Sequence, residues 1–562
     1  MPGDSIPIQQ DQDCCMLERL GESCSMGGIH AIEIVFLLLL LFVVAFGALA
    51  RKLAVPYPIV LVVGGLLLSF VPGIPKVTLN PDLVFFVILP PLLYSAAWLT
   101  SWREFSHNLV SIFLLAFGLV TFTVIGVTGA GHWLLPGFDW RVGLVLGAIV
   151  APTDAIAATS IAKRLGLPRR LVDILEGESL LNDASALLAL EFGIGLLMAG
   201  HVPTFGEGVL RLCYLTAAGI AIGLIIGEIV HLIEHQIDDA PIEIALSILT
   251  PYVAYLAADF VRASGVLAVV ACGLYLSRKS SHFFSPTVRL QAWAVWDSLT
   301  FVLNGLVFVL IGLQLPYVMG QIRDHDLHTL ILYGLAFSGF LIVLRLTWMF
   351  PGAYLANVIR RRLFHQTDRL PPTRHIFIAG WTGMRGVVSL AAAIALPQTL
   401  ANGAPFAQRN MIIFLAFSVI LVTLVLQGLT LPPLIRALGV AGATSSLDPE
   451  EKEARRTILK AALSYLEKSK SESNSPGAEV YADLAQHYSR RLETLTERGD
   501  GSEDGGDQTF YERFNDLSRK LLRIERQTAV QLRNQRRISD ELLREIEHEL
   551  DLGEARLSPK SL

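Results

Sequence analysis

Between Leu171 and Gly200 the chain is almost unbroken in its apolarity, and in the middle stands Glu178-Ser179-Leu180-Leu181-Asn182-Asp183. Two carboxylates and an amide do not belong in hydrocarbon. A charged side chain at a membrane centre costs about 2.5–3.5 kcal/mol on insertion scales, so such groups normally face a polar cavity. At about 100° per residue, Glu178, Asn182, Ser179 and Asp183 fan across a wedge of roughly 140° on one helix face. An oxygen-rich, partly anionic wedge inside an apolar helix suits a small hard cation or a proton. A second mid-span carboxylate, Asp154, lies in Ala151-Pro152-Thr153-Asp154-Ala155. Thr153 and Ser179 add neutral oxygens, unless they merely bond back to the preceding helical turn.

The elements that must position these groups are interrupted helices. Pro152 has no N–H to donate and its ring clashes with the carbonyl four residues earlier, so the helix should kink or open there. A second interruption is expected at Gly380-Trp381-Thr382-Gly383-Met384-Arg385-Gly386, where three glycines at intervals of three weaken the helix around an arginine. Broken helices in two halves of a transporter point to an ion site at the bilayer midplane. Glu178 needs a cation if it stays ionised. Arg345, deep in an apolar span and always charged, is the obvious partner for a structural ion pair. Arg385 is expected to hold broken-helix carbonyl ends. Pro90-Pro91 should break the third span, for packing alone. His30 and His375 lie near span ends and read as interfacial.

Half the residues, 52%, are hydrophobic. Apolar runs of about 17–25 residues, each long enough to span a bilayer, recur from His30 to Arg436. There are roughly thirteen, near 29–50, 55–72, 82–99, 108–135, 140–163, 171–199, 207–234, 241–259, 263–277, 293–318, 328–358, 375–398 and 410–435. The first has no small-residue cleavage site followed by a soluble domain, so it is expected to stay as a span. Alternate loops carry Arg51-Lys52, Arg103, Lys163-Arg164 with Arg169-Arg170, Arg278-Lys279 with Arg289, and Arg360-Arg361-Arg362 with Arg369 and Arg374. The intervening loops carry only Lys76, Arg141, Arg262, Arg323 and Arg409. Basic loops face the cytoplasm, which puts the N-terminus outside and the C-terminus inside.

The expected organisation is an extracytoplasmic tail over 1–28, a transmembrane domain over 29–436 and a cytoplasmic helical domain over 437–562. That last part holds close to half of the chain's charged residues. Asp448–Lys470 and Ala478–Arg498 look helical, Gly499–Asp507 reads as an acidic loop, and Phe510–Leu550 as one long charged helix. Phe514, Leu517, Leu521 and Ile524 fall at heptad-like steps in it, which leaves room for a dimer contact, a regulatory partner or a regulatory ligand. The net charge of −5 gives no sign of nucleic-acid binding. Cys14, Cys15, Cys24, Cys213 and Cys272 show no zinc-site spacing and read as free thiols, with a disulfide possible in the tail only outside the cytoplasm.

These residues resemble those of the monovalent cation/proton antiporters, in the branch of the NhaP-type bacterial antiporters and the animal sodium/proton exchangers. The resemblance covers about Ile29 to Arg436. It rests on Ala151-Pro152-Thr153-Asp154, on Glu178-Ser179-Leu180-Leu181-Asn182-Asp183 and on Gly383-Met384-Arg385-Gly386-Val387-Val388-Ser389-Leu390. It implies an all-α polytopic membrane protein with inverted repeats and two broken crossing helices, not an enzyme. It further implies a homodimer in the cell membrane, with a dimerisation block and a six-helix core that moves like an elevator. Asp183 matches the ion- and proton-binding carboxylate. Thr153, Asp154 and Ser179 match positions that shape the Na⁺ site, Asn182 the asparagine linking it to the broken helix, and Glu178 with Arg345 a structural ion pair. Two departures stand out: proline precedes rather than follows Thr153-Asp154, and Ser95 stands where several archaeal members carry an acidic residue.

The implied activity is exchange of Na⁺, or Li⁺, for H⁺ in pH and sodium homeostasis, with K⁺/H⁺ exchange as the alternative and no cofactor. One carboxylate cannot hold a cation and a proton together, so competition at Asp183 with alternating access is enough for coupling. Asn182 beside Asp183 cannot release a proton, which favours electroneutral exchange. Two aspartates on neighbouring spans would also suit an intramembrane aspartyl protease, but no Gly-x-Gly-Asp segment occurs in a span. A transport-dead sensor signalling through the tail would leave the intact site residues without a purpose.

Overall fold

The computed structural model describes residues 34–440 apart from 54, 72–80, 135–136, 199–203, 238, 284–285, 321, 323–325, 367–369 and 401–402, together with 449–472 and parts of 484–554. It divides into two compact units, Met1–Ala443 and Thr444–Leu562. His30, Cys14, Cys15 and Cys24 lie outside the described residues, as does most of the expected acidic loop. Cys213 and Cys272 are free thiols.

The first unit is helical throughout its named elements. In chain order these are α1 (Ile34–Leu53), α2 (Tyr57–Leu68), α3 (Leu83–Leu99) and α4 (Trp102–Gly131). Then come α5 (Trp140–Val150), α6 (Ala155–Arg164), α7 (Arg169–Met198), α8 (Phe205–Glu234), α9 (Ala240–Phe260) and α10 (Gly265–Phe283). The last are α11 (Pro286–Gly320), α12 (Leu327–Leu363), α13 (Thr373–Trp381), α14 (Val387–Ile394) and α15 (Arg409–Ala437). Every apolar run of the sequence falls on one of these elements or on a pair of them. Among the described residues, nine stretches are long and apolar enough to cross a membrane, with α5 and α6 taken together, and α2 and α3 are shorter apolar helices.

Local chemistry accounts for the ends. Asp139 caps α5 by accepting from Val142 N at 2.9 Å. Thr204 and Glu207 form a reciprocal capping box at α8. The two interruptions are where the proline and the glycines place them: α5 stops at Val150 and α6 starts at Ala155, while α13 stops at Trp381 and α14 starts at Val387. One expectation fails. Pro90-Pro91 does not break α3, because Leu83–Ile88 winds as a π-helix and the prolines sit in the first turn of Leu89–Leu99. The wider π turn removes the demand for the N–H that proline lacks.

In the second unit α16 (Pro449–Glu472) and α17 (Gly506–Asn534) are helical. The single helix expected over Phe510–Leu550 is shorter: it ends at Asn534, and the helical stretch 549–554 returns to it, with Arg526 Nη2 3.2 Å from Glu554 Oε2. Most helical stability in proteins comes from packing rather than from an isolated helix, and the returning segment packs at Gly553 against Leu522. Leu517, Leu521 and Ile524 are each more than half exposed.

Candidate functional site

The two interruptions meet. Asp154 N donates to Met384 O at 2.8 Å, so the open backbone of one broken helix satisfies the open backbone of the other. Each of the four half-helix ends faces a group of suitable charge. Asp154 caps the N-terminus of α6, its Oδ1 accepting from Ile156 N at 2.8 Å. Arg385 donates through Nε to Val150 O, the last residue of α5, at 3.1 Å, and through Nη1 to Gly383 O. Arg345 donates to Gly380 O at 3.1 Å and Ala379 O at 3.2 Å, in the last turn of α13. Cations at C-termini and a carboxylate at an N-terminus complement the helix dipoles. The N-terminus of α14, at Gly386, is the end on which the Asp154 side chain rests.

Glycine is required at two of these points by close approach. A Cβ at Gly386 would stand 2.5 Å from Asp154 Oδ2, and one at Gly383 would stand 2.3 Å from Arg345 Cδ. Gly386→Ala is therefore expected to push Asp154 out of place, with an overpacking cost of about 1–3 kcal/mol. Its melting temperature should fall and Na⁺-driven proton flux drop by at least tenfold. A variant with wild-type melting and flux would show that Asp154 is not held against this helix end.

Around the crossing, α7 presents its wedge. Arg345 grips Glu178 with both arms of the guanidinium, Nη1 to Oε1 at 2.6 Å and Nη2 to Oε2 at 3.0 Å, and both side chains are 2% exposed. The Thr153 hydroxyl donates to Glu178 Oε1 at 3.0 Å and accepts from Asn182 Nδ2 at 2.7 Å. Ser179 Oγ accepts from Ala155 N at 3.2 Å. The structure thus brings Thr153, Asp154, Glu178, Ser179, Asn182, Arg345 and Arg385 into one network that ties α7 and α12 to the crossing. Asp183 stands apart from it: among the described residues its carboxylate has no hydrogen bond and no ion pair.

Asp183 and Asp154 instead face a shared cavity of about 220 Å³, whose lining also includes Thr153, Ser179, Gly386, Ser389, Asn304 and Phe308. The cavity reaches Lys163 and Glu176, whose Nζ and Oε1 are 2.7 Å apart. Two carboxylates with hydroxyl oxygens nearby in an apolar enclosure form a hard-oxygen, anionic surrounding for one small cation. Ser95 is not part of the wall. It is buried on α3 and donates to Leu92 O of its own helix at 2.9 Å.

Sequence reasoning missed Asn304, Ser389, Gly386 as a contact point, and the Lys163–Glu176 pair. Asn304 was detectable as a lone amide in the apolar run 293–318, and Ser389 as the hydroxyl closing the third motif. The Lys163–Glu176 pairing depends on how α6 packs against α7, which no spacing reveals.

Residues 37–437 match the family model for the transmembrane region of the sodium/hydrogen exchangers. An uncharacterized Na⁺/H⁺ exchanger of Mycobacterium tuberculosis is 35% identical over 539 residues, covering 93% of this chain and 96% of its own length. A sodium, potassium, lithium and rubidium/H⁺ antiporter of Bacillus subtilis is 31% identical, covering 82% of this chain and 69% of its own. The fold is similar to that of the sodium proton antiporter MjNhaP1 from Methanocaldococcus jannaschii at pH 8, with a TM-score of 0.57 and 20% identity over 73% of this chain and 99% of that one. Broken-helix crossing, anionic cavity and a match across almost the whole helical unit agree: this chain belongs to the sodium/hydrogen exchanger family.

Proposed function

We propose that this protein exchanges Na⁺, or Li⁺, for H⁺ across the cell membrane without net charge movement, serving pH and sodium homeostasis. The observation that carries this reading is the pair of carboxylates, Asp154 and Asp183, facing one cavity beside the crossing, with Asp183 unengaged by any protein donor. A carboxylate so placed binds either a proton or a cation. Asp183 is the shared group, and Asp154, Thr153 and Ser179 shape the cation's surroundings. Asn182 locks α7 to the first interruption through Thr153, and the Glu178–Arg345 pair and Arg385 hold the scaffold. No cofactor takes part.

The basic-loop asymmetry supports an N-terminus outside and a C-terminus in the cytoplasm. In that orientation the end of the cavity at the Lys163–Glu176 pair lies toward the cytoplasm. Residues 1–28 form the outer tail, 29–436 the transporting domain and 437–562 a cytoplasmic helical domain that takes a regulatory partner or ligand. The active form is a homodimer. In everted vesicles, Na⁺ and Li⁺ should each dissipate a preformed proton gradient, and silence with Na⁺, Li⁺ and K⁺ alike would refute antiport. A second reading, K⁺/H⁺ exchange, draws on the potassium in the name of the Bacillus relative; a response to K⁺ alone would select it.

The charge inventory supports the electroneutral part of this reading. Asn182 cannot give up a proton, and both Glu178 carboxylate oxygens are taken up by Arg345, which leaves Asp183 to cycle one charge. In proteoliposomes clamped with valinomycin and K⁺, once K⁺ itself is shown not to be transported, membrane potential without a pH gradient should move no Na⁺. Potential-driven Na⁺ uptake would mean unequal stoichiometry, with Asp154 as the second proton carrier.

A further inference from the structure

Four hydroxyl-bearing residues line the cavity: Thr153, Thr159, Ser179 and Ser389. Three have protein partners. Thr153 is committed to Glu178 and Asn182, Ser179 to Ala155 N, and Thr159 donates to Ile156 O at 3.5 Å. Ser389 Oγ is buried, in a residue 1% exposed, and makes no hydrogen bond. A buried hydroxyl left this way costs about 1–3 kcal/mol and calls for an explanation.

The ordinary explanation for a helical serine is a bond back to a carbonyl three or four residues earlier. Ser95, Ser160, Ser185 and Ser247 of this chain do that, to Leu92 O, Ala157 O, Asn182 O and Ile244 O. Ser389 does not. Its place on α14 gives the reason a physical form. Gly386 is the N-cap and Ser389 is the third helical residue, so the carbonyls three and four residues back belong to Gly386 and Arg385, outside the helix. Asp154 Oδ2 rests against that same cap, since a Cβ on Gly386 would meet it at 2.5 Å. Ser389 and Asp154 thus both line the cavity, Asp154 against the N-cap and Ser389 in the first turn of the same half-helix. The positive end of α14 does not itself favour a cation, so the attraction there comes from the Asp154 and Asp183 carboxylates that face the same cavity.

We propose that Ser389 supplies the uncommitted neutral oxygen that completes the cation's coordination beside Asp154 and Asp183, so that it sets cation affinity and the preference among Na⁺, Li⁺ and K⁺. This rests on the antiport reading above. A small cation stripped of water needs several oxygens, and Thr153 and Ser179 each already accept one hydrogen bond that holds the helices, whereas Ser389 accepts none. Ser389 is thus a binding residue contributed by the second broken helix, whereas Asp154, Thr153 and the α7 wedge come from the first half of the chain. Only when both halves are in register is the coordination complete.

The test is Ser389→Ala in proteoliposomes, with initial rates measured against Na⁺, Li⁺ and K⁺ concentration. Alanine is a better helix former than serine and fits the space, so folding should hold. The apparent KM for Na⁺ should rise about tenfold, as loss of one neutral ligand implies, with the maximal rate within about twofold and the ratio of Na⁺ to K⁺ affinity altered. As an independent readout, the rise in melting temperature that NaCl gives the purified wild type should shrink in the variant. Unchanged KM for all three cations, or a lower maximal rate at unchanged KM, overturns the role of Ser389. Failure of the antiport reading is distinguishable, because then the wild-type protein itself shows no cation-driven proton flux.

Discussion

Asp183→Asn abolishes cation-driven proton flux while leaving the protein folded: that is the largest effect expected of any single substitution. The amide has the shape of the carboxylate but can neither take up a proton nor offer a full charge to a cation. Loss of function should come without loss of stability. Asp183 is 9% exposed and has no protein partner in the described structure, so its charge is a burden on the folded state rather than a support. The variant should melt no lower than wild type. Residual flux above a few per cent of wild type would remove Asp183 from the shared role. A matching fall in melting temperature would recast it as a structural residue. Asp154→Asn should also be severe, by a different route, because Asp154 caps α6 and packs on Gly386 as well as facing the cavity.

The second large effect concerns stability. Glu178 and Arg345 are each 2% exposed and joined by two hydrogen bonds, at 2.6 and 3.0 Å. Removing one partner leaves a charge in low dielectric with nothing to balance it, typically about 3–5 kcal/mol. Both Glu178→Ala and Arg345→Ala should lower the melting temperature strongly. Arg345→Ala should be the worse, because it also strips the donors from Ala379 O and Gly380 O at the end of α13. The double variant should lose less than the sum of the two, since it buries no orphaned charge. Strictly additive shifts in that double-mutant cycle would mean that the contact carries no coupling energy.

Much of this architecture was legible in the sequence because membrane constraints are severe. Hydrocarbon tolerates only satisfied backbone, so the apolar runs had to be helices, and Pro152 and the Gly380–Gly386 segment had to be interruptions covered by protein. A permanent cation such as Arg345 in an apolar span had to find an anion, and Glu178 was the available one. Other features depend on packing that spacing does not encode. The π-helical Leu83–Ile88 absorbs Pro90-Pro91 without a break, and the turn at Asn534 ends a helix whose charge pattern runs on. Thr153 and Ser179, read as site oxygens, turn out to be tied to Glu178, Asn182 and Ala155 as well, because a hydroxyl near an open helix end is recruited by the nearest unsatisfied group. Ser389 escaped attention for the opposite reason: a lone serine inside an apolar half-helix looks like one that bonds its own backbone.

The most direct test of the central claim, that one carboxylate holds either a cation or a proton, is made on the purified protein without any membrane. In weakly buffered solution near neutral pH, addition of NaCl should release protons, close to one per Na⁺ bound. The release should vanish in Asp183→Asn and be matched by weaker Na⁺ binding as the pH is lowered. Na⁺ binding that saturates with no proton release, or release that persists unchanged in Asp183→Asn, would contradict it.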